Sequence, residues 1–253
     1  MSEMRAEQQY IDLFTRYEDL VCRHSTAVMN APRAEALADF DRLGFPSVKS
    51  EDYKYTDVVQ AFAPDYGVNI NRLAIPVNPY DVFRCDVPNL STSLYFVVND
   101  TFYDKMMPKA HLPEGVYAGG LKNFAEKYPE VAARYYGKAA KSSHDGIIAL
   151  NTMLAQDGFV LYVPEGVAVE RPIQLINIFR SDVDAMANRR ILVIMEPRSE
   201  AKLLICDHSI DDVKFLATQV VEIFAAEGAY FDYYDLEESS ISTSRFASVH
   251  VKQ

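Results

Sequence analysis

The sequence has 253 residues, which is enough for one large or two ordinary domains with a buried core. Its 49% hydrophobic and 24% charged residues are typical of a soluble globular protein. A net charge of −11 argues against a nucleic-acid or acidic-membrane partner, because both bind clustered lysine and arginine, and the longest basic run is only Arg189-Arg190.

The N-terminus and the cysteines indicate a cytoplasmic protein. Acidic residues stand where a signal peptide has its apolar segment, and no later stretch approaches ~18 uninterrupted apolar residues. The three cysteines lie far apart without C-x-x-C spacing, so neither a disulfide framework nor a zinc site is encoded. We expect three reduced thiols at Cys22, Cys85 and Cys206.

Two helices are predicted at the start of the chain. Apolar residues between positions 5 and 28 follow steps of three and four, which indicates an amphipathic helix. Asn30 is the expected N-cap of a second, short helix with Pro32 in its first turn and Gly44 at its end. A polar loop with several aromatic residues follows at 44–57.

The middle of the chain combines strands and helices. Residues 64–118 contain short apolar runs, of which 94–98 is the clearest strand and should form the first layer of the later sheet. A helical pattern returns between 121 and 154, with Pro129 in a first turn and Asp145 as an N-cap.

From residue 157 onward one strand-turn-strand pattern is written three times, at 160–175, 191–206 and 220–235. The turn residues Gly166, Ser199 and Gly228 recur about every thirty residues, which is the spacing of solenoid repeats. Apolar residues alternate within each copy, so each strand turns one face to a core that only stacked copies can bury. The sequence therefore predicts an α+β protein: a mostly helical domain with some strands at 1–157, and the first coils of a parallel β-helix at 158–253.

Few residues suggest chemistry. The stretch Gly137-Lys-Ala-Ala-Lys-Ser-Ser lacks the spacing of a phosphate loop, so we expect no nucleotide site. Cys206 and His208 are candidates for accepting sulfur or holding a soft metal, because a nearby imidazolium lowers a thiol pKa and both side chains are metal ligands. They share a face only if the strand continues through Asp207. The alternative is a buried structural thiol.

An enzymatic interpretation is also open. Glu165, Glu196 and Glu227 recur at or near the turns, and aligned carboxylates on a β-helix could serve a carbohydrate-active or acyl-transfer enzyme. The simpler alternative is that these glutamates are solvated turn residues. A third hypothesis is an interaction module without catalytic activity.

Several segments resemble the SufB/SufD scaffold family of iron–sulfur cluster assembly. The resemblance is carried by the first copy, Asp157-Gly-Phe-Val-Leu-Tyr-Val-Pro-Glu-Gly-Val-Ala-Val-Glu-Arg-Pro-Ile-Gln174, and by residues 188–196 and 219–235. The loop Gly44-Phe-Pro-Ser-Val-Lys-Ser-Glu-Asp-Tyr-Lys-Tyr-Thr56 is similar to the N-terminal signature of the SufD branch, with Tyr53 where tryptophan is common.

The resemblance implies a helical region followed by a right-handed parallel β-helix. It implies a non-catalytic scaffold subunit whose partners are a SufB-type scaffold and a SufC-type ATPase. The iron–sulfur cluster and ATP are then implied for the whole complex, with no cofactor held by this chain. Carrying family residues over by position assigns no catalytic role, and the surroundings of Cys206 do not match the functional cysteine of the SufB branch.

The resemblance also implies that the sequence is an N-terminal portion, truncated before further coils and a C-terminal helical segment. An open β-helix end exposes unpaired backbone groups and apolar side chains. We therefore expect self-association through that end.

Overall fold

The computed structural model describes residues 5–83, 92–105 and 111–253, and Cys85 lies outside them. The described helices are α1 (Ala6–Arg23), α2 (Ala27–Asn30), α3 (Arg33–Leu43), α4 (Val58–Phe62), α5 (Pro79–Val82), α6 (Leu121–Lys127), α7 (Pro129–Tyr135) and α8 (Gly146–Leu154). The described strands are β1 (Gly67–Val68), β2 (Ser93–Val98), β3 (Thr101–Phe102), β4 (Tyr117–Gly120), β5 (Phe159–Val163), β6 (Ile173–Phe179), β7 (Ala185–Met195), β8 (Glu200–Ser209), β9 (Phe215–Ala225), β10 (Tyr230–Glu238) and β11 (Thr243–Lys252). This order confirms the predicted α+β architecture.

The strands form two sheets of a parallel solenoid. The first sheet has the order β11-β9-β7-β5-β4, with β1 paired to β7, and the second has the order β10-β8-β6-β2-β3. Strands of successive coils pair in parallel, with partners about 30 positions apart. The predicted copies therefore stack as coils. The strand predicted at 94–98 lies in β2 and joins the second sheet through β6, as expected.

Alternation along each strand decides which side chains fill the space between the sheets. On β7, Ile191, Val193 and Met195 lie in the core between the two sheets. Leu192 and Ile194, on the opposite face, pack against helical residues. Both faces of β7 are consequently buried, from end to end of the strand.

The turns of successive coils use a left-handed backbone conformation. Gly166 and Gly228 have φ values of 70° and 69°, which glycine adopts without the steric cost that a Cβ atom imposes. In the second copy, the prediction of Ser199 as the turn residue was wrong. The preceding residue, Arg198, takes the left-handed conformation, with φ of 58°. Ser199 instead donates its hydroxyl to the carbonyl oxygen of Glu196 at 2.6 Å.

The helices cover the outer face of the first sheet. Phe14, Phe40 and Leu150 from α1, α3 and α8 share a core with Met186 and Leu216 of the sheet. The helical region and the solenoid thus bury apolar surface against each other, and a boundary after residue 157 stays a prediction. Within the described residues, no helix combines the length and apolar composition of a membrane span.

Two predicted helix starts are confirmed and one is wrong. Asp145 caps α8 by accepting a hydrogen bond from the backbone N–H of Ile147 at 2.6 Å, and Pro129 opens α7. Asn30 does not cap α3, because it is the last residue of α2. Its side chain donates to the carbonyl of Cys22 and accepts from Nε of Arg33, both at 2.9 Å.

Arg33 joins α3 to the end of α8. Its guanidinium, which is 1% exposed, donates to the carbonyl oxygens of Thr152, Met153 and Ala155 at 3.3, 2.6 and 2.6 Å. These carbonyls lie at the C-terminal end of α8, where four backbone acceptors lack partners within the helix and where the helix dipole favours a cation. Burial lowers the pKa of Arg33 from its ordinary value.

Candidate functional site

A polar layer interrupts the apolar interior of the solenoid. It lies between the large core around Val193 and a smaller apolar cluster around Phe179 and Phe215. Its inward-facing members come from β6, β7, β8, β9 and β11, and thus from both sheets: Asn177, Arg189, Asp207, Gln219 and Arg245. Asn177 and Asp207 pair in register on the second sheet, and Arg189 and Gln219 on the first.

Arg189 is the buried centre of this layer. Its Nη1 donates to Oδ1 of Asp207 at 2.6 Å, and its Nε donates to the carbonyl oxygen of Asn99 at 2.7 Å. The guanidinium carbon lies 4.0 Å from the ring centroid of Phe179, within cation–π range. Burial lowers the pKa of Arg189, while Asp207 opposes that change. Arg189 remains charged, because an arginine guanidinium is not deprotonated in proteins.

Arg245 continues the alternation of charge toward the edge strands. Its Nε lies 3.1 Å from Oδ2 of Asp207, its Nη1 donates to Glu237 at 2.9 Å, and its Nη2 pairs with Asp235. Burial acts to lower the pKa of Arg245, but the three carboxylates outweigh it and the pKa is raised. Two arginines and three carboxylates therefore form one connected network.

Some polar atoms of the layer have no hydrogen-bond partner within the described part of the chain. They include Nη2 of Arg189, Oδ1 of Asn177 and Nε2 of Gln219, although Asn177 donates to Gln219 at 3.3 Å. Buried polar atoms in native proteins are usually satisfied by protein groups or by ordered water. The layer is thus polar enough to hold water between the sheets.

Cys206 and His208 lie on the opposite, outer face of β8. The strand continues through Asp207, which was the condition for the two side chains to share a face. Cys206 packs with Phe96 and Ile176 and accepts a hydrogen bond from Nε2 of Gln174 at 3.4 Å. The residues of β8 that face the core between the sheets are Ala201, Leu203 and Ile205. Their alternation continues with Asp207, so Cys206 does not face that core.

His208 is held by two neighbours. Its Nδ1 lies 3.3 Å from Oε2 of Glu238, and its ring meets Phe83 edge-to-face at 5.5 Å. Its Nε2 is buried without a hydrogen-bond partner among the described residues. Across residues 5–83, 92–105 and 111–253, no three histidine, cysteine or acidic side chains cluster closely enough to hold a metal ion. The roles of Cys206 and His208 in sulfur or metal chemistry stay predictions.

The loop after Gly137 cradles a carboxylate of the protein itself. The backbone N–H groups of Gly137, Ala139 and Ala140 donate to the two oxygens of Glu222 at 2.9, 2.9 and 3.0 Å. Arg190, which is completely buried, donates to the same carboxylate at 2.7 Å. Burial opposes ionisation of Glu222, yet Arg190 and the backbone donors hold its pKa below the ordinary value.

The glutamates of the turns lie in different surroundings. Glu165 is exposed and pairs with Arg198, while Glu227 is exposed at the third turn. Glu196 is partly buried and accepts a hydrogen bond from the hydroxyl of Tyr135 at 3.4 Å. These contacts are those of solvated or half-solvated turn residues.

The buried ionic residues were missed in the sequence, where Arg189-Arg190 is only a short basic run. Their signal is a polar residue at an inward position of a strand, repeated one coil later, as in Asn177 and Asp207. Glu222 interrupts the apolar run of β9 on the opposite face, which is turned toward the helical region. Aligning the copies by their turns would have brought these positions together.

Two family models match consecutive parts of the chain. The model described as "SufBD protein N-terminal region" matches residues 4–175. The model described as "SUF system FeS cluster assembly, SufBD core domain" matches residues 178–253.

Curated relatives agree with these matches. An iron-sulfur cluster assembly SufBD family protein of Trieres chinensis is 25% identical over 236 residues, covering 85% of this chain and 48% of the relative. The iron-sulfur cluster assembly protein SufD of Bacillus subtilis is 26% identical over 115 residues, covering 45% of this chain and 26% of the relative. The iron-sulfur cluster assembly protein SufB of the same organism is 25% identical over 124 residues, covering 49% of this chain and 27% of the relative. The chain thus spans less than half the length of these relatives.

Proposed function

This chain belongs to the SufBD family, and from that membership we propose that it serves in iron–sulfur cluster assembly as a scaffold subunit of the SufD type. The observation that carries the proposal is the pair of family matches, which together extend from residue 4 to residue 253. The parallel solenoid that follows a helical region supports it, because this is the fold that the resemblance implied.

The choice of the SufD branch rests on the loop at 44–56. The SufD and SufB relatives of Bacillus subtilis match over similar lengths and at similar identity, so overall similarity favours neither branch. In this loop Tyr53 donates its hydroxyl to Oδ2 of Asp145, the residue that caps α8. The aromatic position of the SufD-like signature therefore anchors the loop to the helical region.

We propose that the chain acts without catalysing a reaction of its own. In this proposal a SufC-type partner hydrolyses ATP, a SufB-type partner completes the scaffold, and the cluster is the cargo of the complex. The loop after Gly137 supports the assignment of ATP to a partner, because its converging N–H groups bind the Glu222 carboxylate. Cys206 and His208 are proposed as secondary candidates only, since Cys206 packs in an apolar cluster.

Self-association through the end of the solenoid is part of the same proposal. Among the described strands, β11 and β10 are the edge strands of the first and second sheets at the last described coil, and β4 and β3 are the edges at the other end. Val249 and Val251 on β11 are 45% and 57% exposed, so apolar side chains accompany the unpaired backbone of the edge. A second copy or a further coil would cover both features.

Co-purification tests the proposed complex. An affinity-tagged form of this chain is co-expressed with the SufB-type and SufC-type proteins of the same organism, and the tag alone serves as the control. Retention of the SufB-type protein, and of the ATPase through it, supports the scaffold proposal. If neither protein is retained and the chain hydrolyses a polysaccharide or transfers an acyl group, the enzymatic alternative replaces it.

A further inference from the structure

An apolar ladder crosses the outer face of the second sheet. The in-register pairing of β2, β6, β8 and β10 places Phe96, Ile176, Cys206 and Leu236 side by side. The first three are 1%, 0% and 3% exposed, whereas Leu236 is 37% exposed. The neighbouring row ends in Tyr234, which pairs with Leu204 and is 54% exposed. The last rungs of the ladder are therefore open.

The covered rungs show how the face is normally closed. The ring of Tyr80 lies 4.6 Å from that of Phe96, and Phe83 lies 5.9 Å from Phe96 and 5.5 Å from His208. Aromatic side chains from the α5 segment thus seal the sheet up to β8. Within the described residues, Phe83 reaches His208 on β8, and Leu236 on the neighbouring β10 is an exposed apolar floor.

The open face also carries negative charge. We define the β10 outer face as the outward residues Tyr230, Asp232, Tyr234, Leu236 and Glu238. Lys202 neutralises Asp232 at 3.4 Å, while the side chain of Glu238 is 49% exposed beside His208. Interfaces are enriched in tyrosine, and exposed tyrosine rings attract cations.

We propose that the β10 outer face docks a partner segment that carries lysine or arginine around an apolar side chain. The apolar side chain would rest on Leu236 against the edge of Phe83, and the cationic groups would meet Tyr234 and Glu238. A second copy placed face to face would oppose like charges, which is unfavourable. A coil stacked beyond β10 would pair with its edge and leave this face open, since coils add along the solenoid axis.

The probe for this proposal is a fluorescent synthetic peptide that alternates lysine with leucine and phenylalanine. Fluorescence anisotropy should show saturable binding to the chain that weakens as salt rises, and little binding of the same peptide with glutamate in place of lysine. Tyr234→Ser and Glu238→Gln should each raise the Kd about tenfold. Tyr55→Ser and Glu51→Gln, at exposed positions in another part of the chain, should leave the Kd unchanged.

A cross-linking arm locates the bound peptide. Benzoylphenylalanine placed at Tyr234 should capture the peptide on illumination, and the same group at Tyr55 should not. Both residues are exposed, at 54% and 92%, so either replacement leaves the core intact. The proposal is overturned if no saturable binding occurs, if the acidic peptide binds equally, or if both positions cross-link alike. It is also overturned if Tyr234→Ser abolishes a dimer of the chain, because a second copy would then occupy the face.

Discussion

The buried pair of Arg190 and Glu222 provides the sharpest test of how the helical region is held on the solenoid. Glu222→Gln keeps the shape of the side chain and removes its charge. Both partners are completely buried in the native structure, so Arg190 would remain buried without a counter-ion. The neutral amide would also place an N–H group where the carboxylate accepts donors from Arg190 and Gly137.

The size of the effect follows from these contacts. Removing one member of a buried ion pair costs about 3–5 kcal/mol, because the remaining charge loses its compensation. For a protein of this length, that loss should lower the Tm by roughly 6–20 °C. Glu227→Gln removes the same charge from an exposed turn and should change the free energy of unfolding by less than ~0.5 kcal/mol.

The assay is denaturant unfolding followed by circular dichroism, at several pH values. The native pKa of Glu222 is depressed, so its contribution to stability is present above the unfolded pKa of ~4.3 and is lost as the pH falls through the native pKa. The stability difference between wild type and Glu222→Gln should therefore be largest near neutral pH and should shrink under acidic conditions.

The double variant separates charge from packing. Replacing Arg190 by Met together with Glu222→Gln removes both charges and should recover most of the lost stability, as buried pairs exchanged for neutral groups often do. Equal stability of Glu222→Gln and Glu227→Gln would refute the reasoning. A difference that persists unchanged at acidic pH would refute the assigned protonation state of Glu222.

Three further outcomes are expected. Gly158→Ala should prevent folding or lower the free energy of unfolding by several kcal/mol, because the new Cβ atom would lie 1.9 Å from a backbone oxygen of β7. Gly166→Ala should lower it by only ~1–2 kcal/mol, the steric cost of a Cβ atom in the left-handed conformation. Thermal unfolding of the two variants measures this difference. Arg33→Met should destabilise the chain by about 3 kcal/mol in urea unfolding, while Arg134→Met at an exposed position should not. Light scattering should show that the apparent mass rises with concentration, and that Val251→Lys on the edge strand reduces this rise.

The solenoid could be predicted because its signal is local and repeated. Alternating apolar residues in three aligned copies specify both the strands and the faces that they bury, as Ile191, Val193 and Met195 show. The cap at Asp145 was also predictable, since a short side-chain acceptor before an apolar run satisfies the first N–H groups of a helix. These features need no knowledge of distant residues.

The two wrong predictions, at Asn30 and Ser199, concern residues whose conformation depends on contacts with residues outside the local sequence pattern. Asn30 has the composition of an N-cap, but its side chain is used by Cys22 and Arg33 instead. In the second turn, Ser199 is the smaller residue, yet the register of hydrogen bonds between coils places Arg198 in the left-handed conformation. Local propensity indicates which backbone conformations a residue can adopt, and the packing of the surrounding structure determines which one it does adopt.

The polar interior was beyond local patterns for a related reason. Arg189 and Arg190 are adjacent in sequence but lie on opposite faces of β7, so one enters the solenoid and the other faces the helices. Their partners, Asp207 and Glu222, lie 18 and 32 residues away. Only the register of the stacked coils relates these positions, and a local sequence pattern does not contain it.

An omission experiment tests the central claim most directly. The SufB-type and SufC-type proteins of the same organism are incubated with iron, a sulfide source and ATP, with or without this chain, and the absorbance of iron–sulfur clusters is followed. We expect the cluster yield to fall substantially when this chain is left out and to recover when it is restored. The same yield and rate without the chain would contradict a role for it in iron–sulfur cluster assembly.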